Sequence, residues 1–232
     1  MESDLPKVLH PIGNLPMITH VVRTAQNLGA DRIIPVLGYK HELVQSELKN
    51  EPVECVLQLQ QNGTAHAVLQ CQDILANFNG NVLILYGDVP LIKVETLSRL
   101  INFHEENNTS GTILTTDLSD PTGYGRIIRD DNGNLSKIVE EKDASDVERS
   151  VKEINIGIYV FKSWTLFNLL PMVGNNNTQN EYYLPDVLNL ILEKNEKVAI
   201  EKIKHSIEIQ GVNSTGQLSE MNDYYKKNYI HY

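Results

Sequence analysis

An α/β fold is what this sequence predicts, with a mainly parallel sheet covered by helices on both faces and one β-hairpin inserted. Three observations carry that expectation. Short apolar runs alternate with helical periods through the first half of the chain. Residues 82–86 are apolar and stop abruptly at Gly87 and Asp88, as a buried parallel strand does at its carboxyl end. Residues 125–141 carry two short alternating runs around Asp131-Asn132-Gly133, a hairpin signal.

Taken in order, residues 18–28 have helical periodicity closed by Gly29, and residues 33–37 read as a strand. The unit then repeats: helix 41–48, strand 55–59, helix 64–75, the strand that ends at Asp88, helix 94–104 and strand 112–118. Strands separated by helices need crossover connections, which is why parallel pairing is expected. After Asp120 the rhythm breaks into the hairpin, strand 154–161, helices 164–170 and 184–193, and β-rich runs at 198–203 and 207–212. Residues 218–229 form a polar helix bearing Tyr and Lys, with no obvious burial partner. This organisation reads as one domain over residues 1–214, with 215–232 as a linker or docking helix. A nucleotide-binding sheet of this kind normally opens with a strand and a glycine-rich turn, whereas this chain opens in a proline-containing loop.

The chain has 232 residues, 41% hydrophobic and 22% charged, which suits a soluble globular domain with a sizeable core. A formal net charge of −10 argues against a general nucleic-acid or anionic-membrane surface, so an anionic substrate needs local Lys or Arg, or a metal. Cys55 and Cys71 lack the spacing of a zinc site or a disulfide framework, and a reducing cytoplasm fits. The first residues contain no apolar signal segment, and no run approaches membrane-spanning length.

Phosphate binding calls for helix N-termini, basic side chains or a divalent cation. Pro6-Lys7 puts a cation on a stiff loop, Asn62-Gly63-Thr64 opens a helix with small residues, and Asp88 sets a carboxylate at a strand end, where ligands of open α/β sheets bind. Each has a plain alternative: a solvated lysine, an ordinary N-cap and a helix cap. Gln58 could read a base edge with its amide or simply face solvent. Gly123 and Gly125 around Tyr124 suit either a turn or a sugar lying on backbone. Glu140, Glu141 and Lys142 form a charge run that is usually a wet face. His10 and His66 lack metal or nucleophile spacing and are assigned structural roles.

In order along the chain stand SDLPKVLHPIGNLPMITHV, VLQLQQNGTAHA, LYGDVPL, DPTGYGRI, IVEEKDA, EINIGI, NEYYLPD and GVN. Together they resemble the uridyltransferase domain of bacterial bifunctional UDP-N-acetylglucosamine pyrophosphorylase/glucosamine-1-phosphate N-acetyltransferases. The blocks cover essentially the whole chain.

That resemblance implies the Rossmann-like, three-layer nucleotide-diphospho-sugar transferase fold. It implies Mg²⁺-dependent uridylyl transfer from UTP to N-acetylglucosamine-1-phosphate, a step toward cell-wall precursors. By the same resemblance Asp88 and Asn213 hold Mg²⁺, Lys7 meets the nucleotide phosphates, and Gln58, Gly63 and Thr64 recognise uridine. Tyr86, Gly125, Glu140 and Asn155 surround the sugar phosphate, with Lys142 nearby.

Relatives in this family begin with an apolar strand and the motif Leu-Ala-Ala-Gly-x-Gly-Thr-Arg-Met, and Met1 falls at the Met that closes it. The strand, the glycine loop and the Arg are therefore expected upstream of Met1, unless the chain is a weakly active or purely binding relative. Ile156 stands where Thr is usual. The acetyltransferase is expected on another domain or chain, and transfer to a different sugar-1-phosphate remains an alternative within the same chemistry.

Overall fold

The computed structural model describes residues 4–204 and 207–229. Met1, where the family resemblance places the end of the glycine-rich motif, and residues 230–232 of the expected linker helix lie outside the described residues. The chain forms two compact units, one drawn from residues 1–57, 85–98 and 206–232 and the other from 58–84 and 99–205.

In the first unit a 3-10 turn, Lys7–Leu9, starts at Pro6 and leads into a hairpin of β1 (Pro11–Ile12) and β2 (Leu15–Pro16). Pro16 directly precedes α1 (Met17–Asn27), where its missing N–H costs no helical bond. Met17, Val21, Val22 and Ala25 recur at helical spacing and form the buried stripe. The strands expected at 33–37 and 55–59 shorten to a parallel pair, β3 (Val36–Leu37) and β4 (Val56–Leu57). Pro35 supplies no donor, so β3 begins only after it. Val22 and Leu37 pack with Val44 of α2 (His41–Glu47) and with Leu48.

A second cluster joins Ile12, Met17, Leu91 and Val212 to Met221 of α8 (Thr215–Tyr229). This supplies the burial partner that the pattern of residues 218–229 did not reveal. The Asn222 side chain accepts from Gly13 N at 2.8 Å and donates to Pro11 O at 3.1 Å, across 209 positions of sequence in the first case.

The second unit is built on a sheet ordered β10-β6-β9-β7-β8, with β5 also on β9. Its strands are β5 (Asn81–Ile84), β6 (Gly111–Asp117), β7 (Arg126–Arg129), β8 (Leu135–Val139), β9 (Glu153–Lys162) and β10 (Val198–Lys202). The α/β class stands, but the expectation of mainly parallel pairing is corrected. Strands β5, β6 and β10 share one direction, as crossovers through α4 (Val94–Glu106) require, yet β9 lies between β5 and β6 and runs against both. Nine of the ten residues of β9 are buried, so this reversed strand is the core of the sheet. Among the described residues β5 pairs only with β9, and its residues are half-buried rather than buried.

The hairpin of β7 and β8 forms where its turn signal stood. Asp130 Oδ1 accepts from Asn132 N at 2.9 Å and Asn134 N at 2.8 Å, an Asx-type turn. Two further expectations fail. Helix 64–75 stops as α3 (Thr64–Leu69), because Gln70, Cys71 and Gln72 donate to the carbonyls three residues back. Residues 207–212 make a 3-10 turn, Ile207–Ile209, instead of a strand. Here the Glu208 carboxylate takes Lys93 N at 3.2 Å and Thr96 Oγ1 at 2.9 Å, beside the start of α4.

Candidate functional site

In the first unit, three of the expected residues meet through their side chains. Lys7 Nζ donates to Asp88 Oδ2 in a close ion pair and to Asn213 Oδ1 at 2.8 Å. The lysine side chain is 40% exposed and the aspartate 17%, so water reaches the pair. Each backbone is held independently. Leu9 N and His10 N donate to Pro6 O and Lys7 O, and Val212 N donates to Asp88 O at 3.0 Å. Asn213 N and Ser214 N share Gln217 Oε1 at 2.7 and 3.0 Å, while Gln217 N donates to Ser214 Oγ at 3.2 Å. That reciprocal capping box starts α8 and fixes Asn213 just ahead of it.

Two oxygens therefore converge on a single positive charge. A carboxylate and an amide oxygen are hard donors of the kind Mg²⁺ accepts alongside substrate phosphates and water. Among the described residues no group of three or more His, Cys, Asp or Glu gathers as a self-sufficient metal cage. Tyr86 also belongs to this unit, where its carbonyl accepts from Val89 N at 3.2 Å.

The remaining candidates lie in the second unit. Gln58 Nε2 donates to Gly63 O at 3.0 Å and meets His66 Nδ1 at 2.9 Å, so the amide is oriented rather than loose. Gly63 has φ +110°, and a Cβ there would sit 2.6 Å from Tyr182 O and 2.7 Å from Tyr182 N. Only glycine fits. The contact exists because Tyr182 N donates to Asn62 O at 2.8 Å and Ala65 N donates to Tyr182 O at 2.9 Å. Thr64 Oγ1 accepts from Leu184 N at 2.9 Å.

Gly125 and Glu140 also touch. A Cβ on Gly125 would lie 3.0 Å from Glu140 Oε1, and Gly125 O accepts from Asn155 N at 2.8 Å. Asn155 is buried; its Oδ1 accepts from Gly157 N at 2.8 Å, and its amide bonds the Tyr159 hydroxyl at 2.7 Å. Burial raises the Glu140 carboxyl to about 7, with the charges of Asp186 and Asp143 adding to the rise and Arg126 opposing it. Burial likewise raises Asp186, opposed by a bond from Asn189. A carboxyl poised near neutrality can either donate to or accept from a hydroxyl group.

The charge run at 140–142 is thus not a uniform wet face. Glu140 is half-buried beside other carboxylates, Glu141 pairs at 2.6 Å with the buried guanidinium of Arg126, and Lys142 is exposed and donates to Gln179.

The sequence marks NEYYLPD, residues 180–186, as a motif, but not the bonds by which this segment and its neighbours hold these loops. Tyr182 and Leu184 fasten the Gly63 turn, while Thr178 Oγ1 donates to Asp143 Oδ1 at 2.6 Å. Asn189 behaves like a strand peptide: its Oδ1 accepts from Ile138 N at 3.0 Å and its Nδ2 donates to Ile138 O at 3.2 Å, two residues before Glu140. His66, read as structural, orients Gln58. The available signal was weak, since Asn and Tyr in a polar stretch read as loop chemistry.

The family profile described as nucleotidyl transferase matches residues 2–206. A "bifunctional protein GlmU" of Halalkalibacterium halodurans is 44% identical over 227 residues, 98% of this chain and 50% of that protein. The protein of the same name in Streptococcus mutans is 46% identical over 220 residues, 95% of this chain and 48% of its own. The chain therefore spans about half the length of the curated relatives it matches. A solved UDP-glucose pyrophosphorylase complexed with UDP-glucose superposes with a TM-score of 0.76 at 18% identity, covering 97% of this chain and 92% of that one. The fold is accordingly that of the nucleotide-sugar pyrophosphorylases.

Proposed function

The chain belongs to the nucleotidyl transferase family, and from that premise we propose that it transfers a uridylyl group from UTP to N-acetylglucosamine-1-phosphate, with Mg²⁺ as cofactor. A phosphate oxygen of the sugar-1-phosphate attacks the α-phosphorus of UTP. The new P–O bond forms as the bond to the β-phosphate breaks, and pyrophosphate leaves. The attacking phosphate is already ionised, so no protein nucleophile is needed, and rate comes from positioning and charge neutralisation.

The observation that carries this reading is the convergence of Lys7, Asp88 and Asn213. Lys7 binds phosphate oxygens and offsets the negative charge that grows on the leaving group. Asp88 and Asn213 hold Mg²⁺, which when bound supplies further positive charge to the phosphates. Gln58, Gly63 and Thr64 recognise uridine, the glycine by allowing the turn and Gln58 by an amide already oriented by Gly63 O and His66. Tyr86, Gly125, Glu140 and Asn155 receive the sugar phosphate, with Lys142 beside them. A carboxyl held near neutrality at Glu140 suits a partner rich in hydroxyl groups.

Pyrophosphate release from each of four nucleoside triphosphates, paired with N-acetylglucosamine-1-phosphate or glucose-1-phosphate, tests the reading in the full-length protein. UTP with the N-acetylated sugar is expected to give the highest kcat/KM, and chelation of divalent cations to abolish it. Preference for glucose-1-phosphate would overturn the acceptor, and metal-independent release would overturn the cofactor.

A further inference from the structure

We propose that Lys7 and the divalent cation compete for the same two oxygens, so that Lys7 leaves Asp88 and Asn213 only as the cation arrives. The inference rests on the reading of Asp88 and Asn213 as metal donors. It begins from one fact: the Lys7 ammonium already bonds both Asp88 Oδ2 and Asn213 Oδ1. A monovalent and a divalent cation cannot both sit between those oxygens without strong repulsion at short range.

The surroundings decide which partner moves. Asp88 is tied through its carbonyl to Val212 N, and Asn213 through its N–H to Gln217. Pro6 is buried, and the turn Lys7–Leu9 is closed by backbone bonds. With all three backbones held, the four-carbon stem of Lys7, its side chain 40% exposed, has more freedom to swing than the short side chains of Asp88 and Asn213. In the metal-free protein Lys7 thus serves as a built-in counter-charge that keeps Asp88 neutralised. Displaced, the same ammonium becomes available to an incoming phosphate. Cation binding and phosphate readiness are then one event, and bound nucleotide should tighten the cation in turn, since coupling is reciprocal.

Mn²⁺ titration of the nucleotide-free protein, followed by electron paramagnetic resonance, tests this without reference to turnover. Lys7→Met keeps the stem and removes the charge, and should tighten Mn²⁺ by about tenfold or more. In the unsubstituted protein Mn²⁺ should raise the rate at which an amine-reactive acylating reagent labels Lys7 several-fold, read by peptide mass spectrometry.

Equal Mn²⁺ affinity with and without the Lys7 charge, or Lys7 labelling that Mn²⁺ leaves unchanged, overturns the competition. If Asp88→Asn still abolishes Mn²⁺ binding in that case, the metal assignment stands alone. Mn²⁺ binding that survives Asp88→Asn, or that none of these proteins shows, overturns the metal assignment and the competition with it.

Discussion

Lys7, Asp88 and Asn213 meet through side chains that water reaches, whereas Gly63, Gly125 and Asn155 are held by backbone bonds. The first arrangement can exchange partners at little cost to the fold, because exposed ion pairs contribute only about 0 to 1 kcal/mol. The second cannot. A turn in which a Cβ would strike Tyr182 backbone at 2.6 Å is part of the packing of its unit. On the proposed function, charge handling and shape recognition would fall to regions held in these two different ways. Substitutions should separate them, with turnover falling alone in the first region and stability falling in the second.

The sharpest break in that contrast comes from Asp88→Asn. We expect turnover to fall by roughly 10²- to 10³-fold, the usual scale for losing one charge-stabilising group. The unfolding midpoint should barely move. Pyrophosphate release and a thermal melt on the same preparation check both halves, and a large stability loss would erase the distinction.

Gly63→Ala should do the reverse. Its φ of +110° and the Tyr182 contact place the cost at roughly 2 to 3 kcal/mol or more, read by urea denaturation, with base recognition lost as the turn opens. An alanine protein of unchanged stability would mean that Tyr182 yields.

A smaller effect distinguishes the regions by pH. Burial pushes the Glu140 carboxyl up to about 7 in the folded chain, against 4.5 for a free glutamate side chain. Between those values the folded state binds the extra proton, so this group contributes stability that is full below about 4.5 and fades as pH rises toward 7. The full shift is worth about 3 kcal/mol, and water reaching the half-buried carboxyl cuts it to about 2 kcal/mol across that window, a slope that should flatten in Glu140→Gln. Denaturant midpoints from pH 4.5 to 7.5 would measure it, and an unaltered slope would assign the proton elsewhere.

Least of all, Ser214→Ala removes the cap in front of α8 and should cost about 1 kcal/mol. Because Asn213 N keeps its bond to Gln217, the Lys7–Asn213 contact should persist, and turnover should change less than stability.

Much of the architecture was legible from periodicity. Helix α1 and the β7–β8 hairpin formed within a few residues of their signals, because each depends on neighbours in sequence. The direction of β9 was not legible. An apolar run reads the same in either direction, and burial on both faces removes the alternation that marks its sides. Strand 207–212 failed for a related reason: Ile207–Ile209 turns, and Val212 serves a cluster with Ile12 and Met221 instead of a ladder. At the site, Lys7, Asp88 and Asn213 were named from motifs, but the bonds made by Tyr182, Asn189 and His66 were not foreseen. Their role is to bond distant backbone or orient another side chain, which no local pattern announces.

By itself, then, the sequence determined the α/β class, the hairpin, the family and the short motifs that carry charge and tight turns, since all are properties of residues close together in the chain. The tertiary structure alone decided that one ammonium bridges Asp88 to Asn213, that Glu140 is half-buried near like charges rather than fully solvated, and that β9 runs against its neighbours. Those outcomes depend on which distant groups share space and how much water reaches them, and burial and Coulomb interaction are set by that space rather than by sequence spacing.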